Sequence, residues 1–342
     1  MTALAPLAHR PRKKSAAAEA PGVAKALPAN AFPKWARAPL RALDSLSDVE
    51  AAVLAGASLT ALDAVVTSGQ GEAPPFLGVL RARQALAAAA HCAPAACLRE
   101  DDAALRDALL FAAPGAALSP AGRLHALFRL FGAPRFTGDH DDVERAGALL
   151  ALAGDTARYA EIVAAHIAGV GEPLGQALAA AQAIARRAEA DGARAETAEL
   201  LALWAADLVL AKRLGWDRPL ALLAARVDER RDATGRRLRP GDAAWPSAAL
   251  RAYALAAADA HLAAVDLQRR ASMLVAVLPK LRAKLAGRVV ALLLADDGVT
   301  PAAAARAAGM SDRAARRLFE RLVELGGARE LTGRETFRIY GL

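Results

Sequence analysis

The sequence predicts a mainly α protein. A helical bundle or irregular helical array over residues 44–279 is followed, over 280–342, by a winged helix-turn-helix with a short β-hairpin wing. Residues 1–43 read as a disordered basic arm. Three observations carry this reading. Of the 342 residues, 55% are hydrophobic but only 4% aromatic, because alanine supplies much of the apolar count, and alanine is the best helix former. Between Ser47 and the C-terminal stretch, apolar residues recur at helical spacing and are interrupted by short Gly and Pro breaks. From Ala286 onward, small and apolar residues fall where two short helices must cross tightly.

In chain order, Arg10, Pro11, Arg12, Lys13 and Lys14 form a basic cluster without a sustained apolar period. Around Phe32 to Ala38 the chain is expected to dock on the body, with Trp35 as the buried anchor. Ser47 has the character of an N-cap and Glu50 that of its capping-box partner. The helix that follows runs through Val53, Leu54, Leu62 and Val65. Further helices are expected over 76–92, 100–112, 120–131, 141–153, 156–169, 173–190, 195–214, 218–230 and 246–278. Short loops between them make neighbours antiparallel. No fixed repeat and no uncharged apolar run of membrane-spanning length stands out, so no membrane is expected as a partner.

The C-terminal stretch is the part whose spacing points to a specific interaction. Ala304, Ala308, Met310, Ala315 and Leu318 fall at the packing positions of a bihelical unit, Ala305 at the tight crossing and Gly309 in the turn. Ser311 caps a second helix from Asp312 to about Leu325, in which Ala315, Leu318, Leu322 and Leu325 make the inner seam. Arg313, Arg316, Arg317 and Glu320 project from the other side. The arginines lie in the half of the helix that such motifs present to the major groove. Two extended runs, Arg329–Leu331 and Glu335–Tyr340, read as a wing that carries Arg334 and Arg338 to phosphates. The alternative is an ordinary solvated helix on which Asp312, Arg316 and Glu320 form ion pairs four residues apart.

Net charge is +8. Residues 1–43 hold 8 basic and 1 acidic residues, 44–279 hold 24 and 28, and 280–342 hold 12 and 7, giving balances of +7, −4 and +5. Basic ends on a mildly acidic body fit a nucleic-acid contact at the termini.

Candidate chemistry is sparse. Cys92 and Cys97, beside His91, lack a second ligand pair and read as buried apolar cysteines in a reducing cytoplasm. Asp139, His140, Asp141, Asp142 and Glu144 form the densest acidic cluster, but sit where a helix begins and its dipole favours carboxylates. No phosphate loop, nucleophile elbow or zinc-protease helix is present. No metal, no cofactor and no catalytic residue is therefore assigned. Arg230, Arg231, Arg236, Arg237 and Arg239 read as a solvated basic loop.

The segments Pro33–Arg37, Ala57–Asp63, Asp102–Ala108, Ser119–Arg123, Pro279–Gly287 and Met310–Leu342 resemble a bacterial family catalogued as domain of unknown function 1403. The ending L-T-G-R-E-T-F-R-I-Y-G-L is the most specific part. The resemblance implies no assigned activity. The tail alone is similar to the winged-helix ends of bacterial Fic-type proteins, without the Fic motif. The expectation is thus a non-enzymatic, cytoplasmic protein that binds double-stranded DNA in transcriptional or replicon-level control. Ser311, Arg313, Arg316, Arg317, Arg334 and Arg338 are its DNA contacts, and a homodimer is the usual route to specificity. The alternatives are a protein-binding adaptor and, further off, an enzyme with an unrecognised site in the helical body.

Overall fold

A computed structural model describes residues 32–67, 73–113, 115–152, 156–226, 231–232, 234–281 and 285–342. It is mainly helical. The helices are α1 (Lys34–Leu40), α2 (Asp48–Val66), α3 (Leu77–Cys92), α4 (Asp102–Leu110), α5 (Pro120–Arg129), α6 (His140–Leu149), α7 (Ala157–Ala168), α8 (Pro173–Ala190), α9 (Ala195–Arg213), α10 (Trp245–Val277), α11 (Ala286–Ala295), α12 (Pro301–Ala308) and α13 (Asp312–Glu324). A two-stranded antiparallel hairpin of β1 (Arg329–Glu330) and β2 (Tyr340–Gly341) ends the chain.

Local signals set many of the helix starts. The Ser47 hydroxyl accepts from the Glu50 amide while the Glu50 carboxylate accepts from the Ser47 amide, the reciprocal box that satisfies two orphan donors. Asp101, Ser119, Asp139, Thr300 and Ser311 cap α4, α5, α6, α12 and α13 through their side-chain oxygens.

The body is built around two helices. α9 is buried on all sides from Ala198 to Ala211, the pattern of a helix enclosed by others. α10, about 50 Å long at 1.5 Å per residue, lies along α2. α2 has the length and a mean hydropathy of 1.7 that would suit a membrane span, yet Leu54, Leu62 and Val65 are buried within the protein. Arg251 of α10 holds the start of α2, donating to Asp48 at 2.9 Å and to the Leu46 carbonyl at 2.6 Å.

Several expectations are corrected. Residues 218–230 do not form a helix in the part described: only a 3-10 turn, Leu223–Ala225, is present. Leu220 to Ala225 are all buried, so this segment threads the core rather than lying on it with one apolar face. Its amides are satisfied by the buried carboxylate of Asp207 on α9, which accepts from Leu222 at 2.9 Å and from Leu223 at 3.1 Å. Trp35 is 59% exposed; the anchors are Phe32 and Ala36, with the Phe32 ring 5.6 Å from His261. From Phe32 on, the span expected to be an arm therefore lies against the body, and residues 1–31 fall outside the described part. Cys92 is buried, but Cys97 is exposed in a turn where its φ is 58°.

The C-terminal unit shares the core of the body. Val289, Leu293, Phe319, Tyr340 and Leu342 belong to the same apolar cluster as Leu80, Phe128 and Leu274. Gly78 on α3 meets the end of α11 so closely that a Cβ there would lie 2.8 Å from the carbonyl carbon of Ala295. Arg83 donates to Asp297 at 2.6 Å and to the Leu342 carbonyl at 2.6 Å. Arg129 makes two bonds to Asp296, at 2.9 and 2.7 Å, the paired geometry in which a guanidinium binds a carboxylate best.

Candidate nucleic-acid interface

The candidate interface is assembled by α12, α13 and the hairpin. Thr300 caps α12 and Pro301 opens it. Gly309 then takes φ 72° and ψ 40°, the left-handed turn that glycine adopts without steric cost. Ala304, Ala305 and Ala308 are buried against Ala315, Leu318 and Leu322 of α13. Phe319, which the seam read from the sequence did not include, is fully buried and stacks on Tyr340 with ring centroids 4.4 Å apart. It sits one position beyond Leu318, and an aromatic there was the available signal.

This packing leaves the other side of α13 in solvent. Ser311, Arg313, Arg316 and Arg317 are all exposed, and Ser311 is already used in accepting from the Ala314 amide at 3.3 Å. Among the described residues, Arg313, Arg316 and Arg317 make no ion pair. The chain of pairs through Asp312, Arg316 and Glu320 is not formed there; the pair on this helix joins Arg321 to Glu324 at 2.9 Å. Arg306 on α12 is likewise exposed.

The hairpin differs from its expected form. β1 pairs with β2 through Arg329 with Gly341 and Glu330 with Tyr340, and Val299 bridges to Tyr340 on the far side with bonds of 2.8 and 2.9 Å. Residues 332–338 form a loop rather than the start of a strand at Glu335. Two local causes act. The Glu330 carboxylate accepts from the amides of Thr332 and Gly333, and Phe337 adopts a φ of 56°, which interrupts extended backbone.

The loop is also tied to the body. Arg334 pairs with Asp107 of α4, and Phe337 meets Phe111 edge to face at 5.5 Å. Arg338 is exposed and donates to the Arg334 carbonyl at 3.0 Å. Between α13 and this loop runs a groove lined by Glu320, Glu324, Glu330 and Glu335 together with Arg334 and Arg338, so it is acidic in balance. The six residues read as DNA contacts thus divide: Arg313, Arg316 and Arg317 share one open face with Ser311, whereas Arg334 and Arg338 lie across the groove.

Elsewhere the candidate groups have structural partners. Asp139 caps α6, and buried Asp142 accepts from the amides of Thr137 and Gly138 at 2.8 and 2.7 Å. This leaves His140, Asp141 and Glu144 as an exposed trio. In the basic loop, Arg237 donates to Glu199 at 2.7 Å, Arg239 to Glu196 at 3.2 Å and Arg236 to Asp242 at 3.0 Å. These charges are paired rather than free, and Arg230 lies outside the described residues.

The fold and this site together define a mainly α protein with a helical body and a C-terminal helical unit closed by a hairpin, an arrangement compatible with a winged helix. The chain belongs to the family described as "Protein of unknown function (DUF1403)", whose model matches residues 23–342. Comparison with curated proteins gives no match.

Proposed function

We propose that the protein is a double-stranded DNA-binding regulator, acting in transcriptional or replicon-level control from the cytoplasm through a C-terminal winged helix-turn-helix. The observation that carries this reading is the open arginine face of α13, Arg313, Arg316 and Arg317, without an ion pair among the described residues and set on a helix held from behind by Leu318, Phe319 and Leu322. Its N-terminal half enters the major groove, where arginine pairs with two acceptors of guanine. Two copies on two half-sites supply the specificity one short helix lacks.

The test is duplex binding by the full chain over a salt series, with Arg316→Ala and Arg317→Ala beside the wild type. Truncation is the wrong experiment, because the C-terminal unit shares the body's core. Phosphate contacts give a log–log slope near 0.9 per phosphate neutralised. A base-reading arginine costs about 1–3 kcal/mol at the cognate site when removed, and a phosphate contact weakens every sequence alike. Salt-insensitive binding, or none at low salt, rejects the proposal.

A second reading rests on the acidic groove between α13 and the hairpin loop. That groove suits a basic protein segment better than a phosphate backbone. A partner retained by the wild type and lost on Glu320→Lys with Glu324→Lys would favour an adaptor.

A further inference from the structure

An open cleft of about 380 Å³ lies where the start of α3, the turn after α5 and the end of α11 meet, a size suited to a small organic ligand. Pro74, Pro134 and Ala295 form apolar walls, and Arg81, Arg129 and Arg218 supply three guanidinium groups. Among the described residues, Arg129 is the one of the three in an ion pair, through its two bonds to Asp296. Arg218 is fixed in place without being neutralised. It donates to the carbonyl oxygens of Gly132, Ala133 and Pro134 at 3.2, 2.6 and 3.1 Å, which orient a cation and leave its charge intact.

Arg81 is the unusual member. Among the described residues it has neither a hydrogen bond nor an ion pair, and its Nε is buried without an acceptor. Burial first, and the neighbouring Arg218 cation second, press its guanidinium down to about 10, with Asp217 offsetting part of the effect. A buried N–H without an acceptor on a partly buried cation is a costly arrangement. An anion placed between the two cations removes the cost and uses the planar donor fork.

We propose that this cleft binds a small organic oxyanion, a phosphate or carboxylate on a compact apolar body, held between Arg81 and Arg218. Ala295 forms one wall and Arg129 grips the turn into α12, so the occupant touches both the body and the C-terminal unit. The site does not depend on the DNA reading.

Thermal unfolding of the full chain tests it, with pyrophosphate and succinate as probes against sodium chloride of equal ionic strength. A ligand bound to the native state raises Tm in a saturable way. Saturation by pyrophosphate assigns a phosphate, and saturation by succinate alone assigns a carboxylate. Arg81→Met removes a partly buried cation whose Nε has no acceptor, so its ligand-free Tm is expected to equal or exceed that of the wild type while the probe-dependent rise disappears. Arg81→Lys keeps the charge but loses the fork, and is expected to weaken the probe about 10-fold. The proposal is overturned if neither probe saturates or if Arg81→Met retains the full rise.

Discussion

At the scale of single residues, two buried groups titrate in opposite senses. Asp207 is buried, and burial lifts its carboxyl to about 7, against the amides of Leu223 and Leu222, which pull it down. His125 is buried on α5 with Nδ1 3.2 Å from the Leu105 carbonyl; burial, and then the Arg129 cation, lower it to about 4. For Asp207 the native state holds the proton more tightly than the unfolded chain, whose carboxyl titrates near 3.9. Its contribution is complete below pH ~4 and lost as pH rises to about 7. For His125 the native state rejects the proton, so its contribution is complete above pH ~6.5 and lost as pH falls to about 4. Each is worth on the order of a few kcal/mol, and the two largely mask one another. Difference profiles of stability against pH separate them. Relative to wild type, Asp207→Asn is expected to gain stability as pH rises from 4 to 7, and His125→Asn to lose it. A flat difference profile for Asp207→Asn would show that Asp207 is ionised throughout. None of this was legible in the sequence. Asp207 and His125 look like any polar residue at helical spacing, and only the folded chain brings Leu222 and Leu223 to Asp207. The signals that could be read were the ones contained within a few residues: the Ser47 and Glu50 box, the Ser311 cap and the Gly309 turn.

At the scale of elements, the hairpin loop shows where local reading stops. Its existence and its first strand were legible from the extended run at Arg329–Leu331. Its conformation was not, because Asp107 and Phe111, more than 200 residues earlier in the chain, hold Arg334 and Phe337. The same limit explains residues 218–230, whose apolar run suits a helix until Asp207 offers its amides a buried acceptor. The tie on the loop has a consequence for DNA binding. An arginine committed to Asp107 does not neutralise a phosphate at the same time. Asp107→Ala, which frees Arg334, is therefore expected to steepen the salt dependence of duplex binding by about 0.9, one phosphate. An unchanged slope would remove Arg334 from the interface and leave α13 to carry the contact alone. The pair is partly exposed, so the substitution is expected to cost less than about 1 kcal/mol of stability.

At the scale of the whole molecule, the helical body and the C-terminal unit contribute to one apolar core. The basic balance of 280–342 drew attention to what that segment presents outward. It concealed what the segment buries, because the partners are remote: Arg129 and Asp296 are 167 residues apart, Arg83 and Asp297 are 214 apart. Tethered modules open independently, whereas a unit whose apolar face is completed by its neighbour has little stability of its own. Amide hydrogen exchange distinguishes the two. Amides of α11 and α13 are expected to exchange by the same global opening as those of α9, with equal free energies. Gly78→Ala breaks this equality. Its new methyl group meets backbone at Ala295 rather than a movable side chain, so α3 and α11 must separate and the bonds of Arg83 and Arg129 to the turn beyond α11 must lengthen. Overpacking of this kind costs about 1–3 kcal/mol, and here the loss is directed at one seam. The variant is expected to lower protection across α11–α13 while α9 keeps most of its own. If α11–α13 already open at lower free energy in the wild type, the shared core is not cooperative, and any signal passing from the body to α13 must travel by another route.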